Sequence, residues 1–134
     1  AEMLARMKVA FAGFAARLPT GRPARLLGTS GTVTTLASVH LGLARYDRQG
    51  VDGIIVPAAS MRGIAGKLAG MSIAQRTEMP CIGDERADLV VAGCAILESI
   101  LDIWPAERLG VADRGIREGI LRALLDSAQS RQLG

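Results

Sequence analysis

The chain has 134 residues, 49% of them hydrophobic and 22% charged, which is enough for one domain over residues 1–134 with a buried core. Charged residues interrupt every apolar stretch before it reaches the roughly 18 residues that a membrane helix needs. The N-terminus also lacks the apolar segment of a signal peptide. These two features argue against a membrane or secreted protein and predict a cytoplasmic one. The net charge of +3 comes from scattered basic residues with acids between them and few aromatics, which argues against a nucleic-acid partner.

The first half of the chain alternates between helical patterns and short apolar runs. In chain order we predict a helix over 2–17, a strand over 25–28, a helix over 31–43, a short strand or extended link over 53–57, and a helix over 58–70. The first helix is expected to bury one stripe, formed by Leu4, Met7, Ala10, Phe11, Phe14 and Ala15. The polar segment 45–50 is predicted as a loop.

Two capping signals open the second half. Ser72 and Gln75 fit a capping box for a short helix that ends by Pro80. Asp84 is the predicted N-cap of the longest helix, over 85–102. Apolar side chains lie around most of that helix, which is typical of a central helix buried on several sides.

A strand over 109–112 and an amphipathic helix over 116–128 complete the predicted elements. The chain is therefore helix-rich, with a few short strands separated by helices. This pattern predicts an α/β fold with a parallel component. Two or three short strands make a marginal sheet, so we expect the chain to be part of a larger unit.

The sequence lacks the residues that several kinds of functional site require. His40 is the only histidine, and Cys81 and Cys94 have no zinc-type spacing, so we predict no zinc site, and a Ser-His-Asp site would have to use His40 without further support. Cys94 lies in an apolar helical run and is predicted to be in the core. Glu85 and Asp88 could serve a metal or act as a base, but acidic residues in a first helical turn favour the helix dipole without any further role.

A turn rich in glycine and hydroxyl residues follows the strand over 25–28. Glycines let a backbone approach a ligand closely, and a helix N-terminus offers free N–H groups to an anion. The candidate phosphate-binding residues are Gly28, Thr29, Ser30, Gly31 and Thr32. A simple capped turn, with Thr29 or Ser30 as N-cap, explains the same residues equally well.

A second candidate turn, 113–119, also lies where a strand leads into a helix. Arg114 and Arg117 are candidates to clamp a phosphate, because a guanidinium group binds phosphate through two parallel hydrogen bonds. The alternative is that Asp113 caps the helix and Arg117 pairs with Glu118 or Asp113. Spacing alone favours this alternative.

The candidate turns belong to a set of segments that resembles a known family when taken together and in order. The segments are Gly28–Ala37, Tyr46–Asp47, Val51–Gly53, Glu85–Asp88 and Asp113–Gly119. Over residues 24–125 they resemble the C-terminal part of the Ppx/GppA phosphatases. That family comprises exopolyphosphatases and guanosine pentaphosphate phosphohydrolases.

The resemblance implies part of an actin/Hsp70/sugar-kinase-like (ribonuclease H-like) fold, in which two α/β domains enclose a cleft. It implies that the intact enzyme removes a terminal phosphate from polyphosphate or guanosine pentaphosphate with Mg²⁺, using a glutamate of the first domain to activate water. This chain resembles only the back half of the second domain. It would supply cleft wall and bind no Mg²⁺ alone, and its partner would be the missing N-terminal domain.

Two further expectations follow. An alternative function is a stand-alone phosphate- or nucleotide-binding or interaction module without catalysis. In either case the truncated sheet and the nearly all-apolar helix over 85–102 predict an open strand edge or exposed apolar surface, so we expect the isolated chain to self-associate.

Overall fold

A computed structural model describes residues 2–17, 25–29 and 31–132, with side chains as far as residue 129. Within these ranges the elements are α1 (Glu2–Ala15), β1 (Leu26–Gly28), α2 (Gly31–His40), α3 (Arg48–Val51), β2 (Ile55–Pro57), α4 (Ala58–Ala69), α5 (Ile73–Thr77), α6 (Asp84–Ala87), α7 (Val90–Ile103), β3 (Arg108–Val111) and α8 (Ile116–Gln132). No helix in the described ranges is both long enough and apolar enough to cross a bilayer.

The three strands form one sheet with β3 in the centre. β1 runs parallel to β3, with Leu26 beside Leu109, and β2 runs antiparallel to it, with Ile55 beside Gly110. The predicted helix-rich α/β fold with a parallel component is therefore confirmed. Because β1 and β3 are parallel neighbours, the turns that follow them leave the sheet at the same edge.

One hydrophobic core lies between the sheet and helices α2, α4 and α7. Its fully buried side chains include Leu36, Val51, Val56, Met61, Leu68 and Val111. α7 packs against α1, α2 and α4, as expected for a helix that is apolar on several sides. The core thus fixes α2, whose N-terminus belongs to one of the candidate turns.

The single helix predicted over 85–102 is wrong, because the structure has two helices there. α6 ends at Ala87 and α7 begins at Val90. The Ala87 carbonyl accepts a hydrogen bond from the buried side chain of Arg76, at 2.6 Å from Nε. The Arg76 side chain therefore binds a carbonyl that would accept a backbone N–H in a continuous helix. The predicted N-cap is wrong as well, since Gly83 occupies that position with φ +66° and Asp84 lies in the first turn.

The predicted stripe of α1 is only half-buried. None of its residues is fully buried, and Phe14 is 54% exposed, because α1 packs on α7 from the outside of the core. Phe14 stacks edge-on against Trp104, with ring centroids 6.2 Å apart. α1 is therefore a peripheral helix.

Two local predictions near the site have different outcomes. The capping box is confirmed, since the Ser72 side chain accepts from the Gln75 N–H and the Gln75 side chain accepts from the Ser72 N–H. The loop predicted over 45–50 is wrong in part, because the short helix α3 begins at Arg48 after Asp47, whose side chain accepts the Gln49 N–H at 3.0 Å. α3 places Arg48 and Asp52 beside the C-terminal end of β3.

Both cysteines are free thiols. Cys94 is 3% exposed, which confirms its predicted place in the core, and burial raises the pKa of its thiol to about 11. Cys81 is partly buried and its Sγ donates to the Leu43 carbonyl. Neither thiol is therefore an activated nucleophile at neutral pH.

The apolar face of α8 is exposed. Five of its aliphatic side chains are each more than half exposed, namely Ile116, Ile120, Leu121, Leu124 and Leu125. An isolated domain rarely exposes an apolar face of this kind, and such faces mark contacts with other protein.

Candidate functional site

The two candidate turns meet at the edge of the sheet where β1 and β3 end. A cavity of ≈ 350 Å³ lies between them, and we call it the turn cavity. Its lining consists of Thr29, Arg48, Asp113, Arg114, Gly115, Ile116, Arg117 and Glu118. The structure thus brings together Thr29, Arg114 and Arg117, three of the residues predicted from the sequence.

A second cavity, of ≈ 260 Å³, opens at the N-terminus of α2. Gly31 and Thr32 line it, together with Arg86. Nη1 of Arg86 donates to Thr35 Oγ1 at 2.9 Å and lies 3.4 Å from the Gly31 carbonyl oxygen. The predicted residues of the first turn are therefore divided between two cavities, which we had not expected.

Gly28, the first residue of that turn, lines neither cavity. A Cβ at Gly28 would lie 2.7 Å from the methyl groups of Val33, so this glycine lets α2 pack on β1. That is a packing reason for Gly28, in addition to the proposed approach of a ligand. Ser30 lies outside the described residues.

Asp52 fixes the start of the turn that follows β3. Its Oδ1 accepts the backbone N–H of Asp113 at 2.9 Å, and its Oδ2 accepts from Arg114 Nε at 2.8 Å. The bond from Arg114, followed by the bond from the Asp113 N–H, holds the pKa of the Asp52 carboxyl below its usual value. Arg114 keeps its two Nη groups for other acceptors.

Arg48 holds the same turn from the other side. Its Nη2 donates to the Asp113 carbonyl at 2.5 Å and to Glu118 Oε1 at 3.0 Å, while its Nε lies 3.2 Å from Asp113 Oδ2. The hydroxyl of Tyr46 donates to the same Asp113 oxygen at 2.5 Å. Burial, with the neighbouring Asp113, raises the pKa of Tyr46, so its proton stays in place at neutral pH.

Glu118 caps α8, and the expectation that Asp113 does so is wrong. Glu118 Oε2 accepts the Gly115 N–H at 2.7 Å. This bond and the one from Arg48 lower the pKa of Glu118 to about 2, so the carboxylate is ionised at neutral pH. The expected pairing of Arg117 with either acid is also wrong, because Arg48 contacts both of them.

Three arginines and three carboxylates surround the turn cavity, so their formal charges sum to zero, but one of the arginines is unpaired among the described residues. Arg114 pairs with Asp52, and Arg48 pairs with Asp113 and Glu118, while Arg117 forms no ion pair with any described residue. Arg117 is exposed and lines the turn cavity. Its guanidinium is therefore available to an anion.

The acidic residues of the site do not form a metal centre. In the described part of the chain, no group of three or more His, Cys, Asp and Glu residues is arranged to hold a metal ion. Asp52, Asp113 and Glu118 each accept from an arginine instead. Glu85 lies exposed in the first turn of α6, as the helix-dipole interpretation predicts, but that interpretation is wrong for Asp88, which is the C-cap of α6.

Reasoning from the sequence missed the roles of Tyr46, Arg48 and Asp52. Tyr46 and Asp52 lie in segments that carry the family resemblance, but no spacing rule links them to a turn more than 60 residues away. The available signal was local: Asp47 before a short polar segment is typical of an N-cap. That signal predicts α3 but not its contacts.

Comparison with known proteins identifies this arrangement. The model of the Ppx/GppA phosphatase family matches residues 1–128. The chain belongs to the Ppx/GppA phosphatase family. The resemblance inferred from the five sequence segments is therefore confirmed.

Related proteins are considerably longer than this Ppx/GppA chain. Exopolyphosphatase 2 of Mycobacterium tuberculosis is 26% identical over 102 residues, which are 73% of this chain and 32% of that protein. The Aquifex aeolicus Ppx/GppA family member has a similar solved structure, with a TM-score of 0.83 at 23% identity over 95% of this chain and 40% of that one. An exopolyphosphatase from Cytophaga hutchinsonii superposes with a TM-score of 0.77 at 21% identity, over 94% of this chain and 42% of its own.

These similarities establish the fold as that of Ppx/GppA structures of the actin-like type. The chain spans about a third of the curated relatives that it matches and about two-fifths of the solved structures.

Proposed function

We propose that this chain is the cleft-lining portion of a phosphohydrolase that removes the terminal phosphate from polyphosphate or guanosine pentaphosphate. The observation that carries the proposal is the turn cavity, where an unpaired Arg117 faces Thr29 at the edge of the sheet. Membership of the Ppx/GppA phosphatase family supports the reaction class. The sequence does not discriminate between the two substrates.

Phosphate binding follows from the donors in the two cavities. Arg117 and the free Nη groups of Arg114 offer paired N–H donors to phosphate oxygens, and the Thr29 hydroxyl adds another. The residues that we propose to contact substrate are Gly28, Thr29, Ser30, Gly31, Thr32, Arg114 and Arg117. One unpaired cation does not neutralise a phosphate chain, so the remaining positive charge must come from other parts of the protein.

The catalytic base and the metal are proposed to lie outside this chain. Its carboxylates near the turn cavity are held by arginines and do not suit a Mg²⁺ site. Mg²⁺ in the intact enzyme would be held by the missing N-terminal domain and the substrate phosphates, where it would neutralise charge on the transferred group. We propose a cytoplasmic location for that enzyme.

The decisive experiment compares this chain with the longer protein that carries the N-terminal domain. Phosphate release is measured from polyphosphate and from guanosine pentaphosphate in the presence of Mg²⁺. We expect release by the longer protein only. Turnover by this chain alone would overturn the placement of the base and make Glu85, Asp88 and Asp113 the candidates. A longer protein that binds either substrate without hydrolysing it would favour the alternative, a non-catalytic binding module.

We also propose that the isolated chain self-associates through the apolar face of α8. More than half of each of its five large aliphatic side chains is exposed to water, and covering them is favourable. Light scattering over a wide concentration range should show a mass that rises with concentration. A monomer at every concentration would contradict this proposal, and replacing Leu121 and Leu125 with Glu should reduce the association.

A further inference from the structure

The turn after β3 is held by the segment that contains α3 and its flanking residues, and Arg48 of this segment also lines the turn cavity. Tyr46, Arg48 and Asp52 make the side-chain hydrogen bonds between that segment and the turn. Tyr46 and Asp52 each fix one end of Asp113. Arg48 differs from them because its contacts lie on both sides of Arg117 in the chain, at Asp113 and at Glu118, whereas Asp52 contacts only Asp113 and Arg114.

Arg48 forms hydrogen bonds to both the backbone and the side chains of the turn. Its Nη2 donates to the Asp113 carbonyl, which lies before Arg117 in the chain, and to the carboxylate of Glu118, which lies directly after it. Glu118 in turn accepts the Gly115 N–H. Hydrogen bonds therefore connect Arg48 to Asp113 and to Glu118, and Glu118 to Gly115, so residues on both sides of Arg117 in the chain are held.

The stability of the fold does not explain this arrangement. Arg48 is half exposed, with 51% of its side chain accessible, and exposed ion pairs contribute little to the free energy of unfolding. The bonds of Arg48 instead restrict the geometry of the turn, because a planar guanidinium fixes the relative positions of its acceptors. Binding groups displaced by about 1 Å lose much of their effect on a reaction.

We propose that Arg48 is a positioning residue, which aims Arg117 into the turn cavity by clamping Asp113 and Glu118 on either side of it. This inference rests on the proposed function, in which Arg117 binds substrate phosphate. Arg48 itself does not contact the substrate. A lysine in its place has a single nitrogen, so it cannot keep the Nε contact with the Asp113 side chain together with the two bonds from Nη2.

The test is a double-mutant cycle in the longer protein, with KM and kcat measured on polyphosphate. Arg48→Ala and Arg117→Ala should each raise KM about tenfold, the effect of one lost charge-assisted hydrogen bond, with kcat within about twofold. If Arg48 acts through Arg117, the double variant should be no worse than Arg117→Ala alone. Arg48→Lys should restore little of the lost affinity.

Arg62 supplies a matched control. It also bridges two carboxylates, Asp102 at 2.7 Å and Glu98 at 3.7 Å, but it lines neither cavity. Arg62→Ala should change the melting temperature about as much as Arg48→Ala and leave KM unaltered. If Arg48→Ala fails to fold, Arg48→Gln is used in its place, and the binding of inorganic tripolyphosphate to that variant is measured.

The outcomes separate the two proposals. If the effects of Arg48→Ala and Arg117→Ala multiply in the double variant, Arg48 touches the substrate and the positioning role is overturned. An unchanged KM in Arg48→Ala beside a raised KM in Arg117→Ala also overturns it and leaves the proposed function intact. An unchanged KM in Arg117→Ala overturns the assignment of the turn cavity as the phosphate site.

Discussion

Replacing Arg76 with methionine should lower the free energy of unfolding by about 3 kcal/mol. Arg76 is 7% exposed and forms no ion pair with a described carboxylate. Its guanidinium instead donates to three backbone carbonyls, those of Ala87 at 2.6 Å, Leu68 at 3.1 Å and Met71 at 2.5 Å. Methionine fills a similar volume but leaves these three acceptors without a donor, and an unsatisfied buried polar group is costly.

Urea unfolding of this chain, followed by circular dichroism, measures the effect. Arg62→Met is the matched control, since Arg62 is a partly exposed arginine paired with Asp102 and should cost well under about 1 kcal/mol. Arg76→Lys should recover only part of the loss, because one ammonium group cannot reach all three carbonyls. Equal losses in Arg76→Met and Arg62→Met would show that the three carbonyls find other donors.

Replacing Gly93 with alanine should destabilise the chain by about 2 kcal/mol, although alanine is the better helix former. A Cβ at position 93 of α7 would lie 2.1 Å from Thr32 Oγ1, 2.8 Å from its Cγ2 and 2.9 Å from its Cβ. Rotation of the Thr32 side chain cannot relieve all three contacts. The N-terminus of α2 must therefore move away from α7, and the cavity lined by Gly31 and Thr32 must change shape.

Gly63 provides the control for helix propensity. It lies within α4, and a Cβ there would meet no atom within 4 Å. Gly63→Ala should therefore stabilise the chain by up to about 1 kcal/mol. The double variant Gly93→Ala with Thr32→Ala should recover part of the loss. If Gly93→Ala and Gly63→Ala shift the urea midpoint equally, α2 and α7 are not in the close contact described above.

Most elements could be predicted because apolar runs and breaking residues mark them directly. The strand expected over 109–112 is β3, Arg108–Val111, displaced by one residue. The capping box at Ser72 and Gln75 depends on contacts three residues apart, so the sequence contains all of it. Such local features need no knowledge of the rest of the fold.

The break between α6 and α7 could not be predicted in this way. Hydrophobic periodicity reports which side chains are apolar, but it does not report which carbonyl another part of the chain will bind. Arg76 approaches Ala87 from a different helix, and nothing in the run over 85–102 indicates its presence. The half-buried α1 is a similar case, since its stripe does not reveal whether it covers the core or lies outside it.

The candidate site, like the fold, could be predicted only in part from the sequence. The ends of two parallel neighbouring strands must lie together, which is why Thr29, Arg114 and Arg117 line one cavity, but the sequence alone did not reveal that β1 and β3 are neighbours. The contact between Arg48 and Glu118 joins residues 70 positions apart, and each has several possible partners by charge alone. Only the fold decides among them.

The central position of β3 also determines when the sheet is completed during folding. Both β1 and β2 hydrogen-bond to β3 and to no other strand of the described sheet, yet β3 is the last strand in the chain. During synthesis, β1 and β2 cannot pair with β3 until residues 108–111 have left the ribosome. Contacts between such distant residues slow folding, because a long loop must close before any pairing energy is gained. The helices that are local in sequence, α4 among them, are therefore expected to form first and to hold the growing chain until β3 arrives.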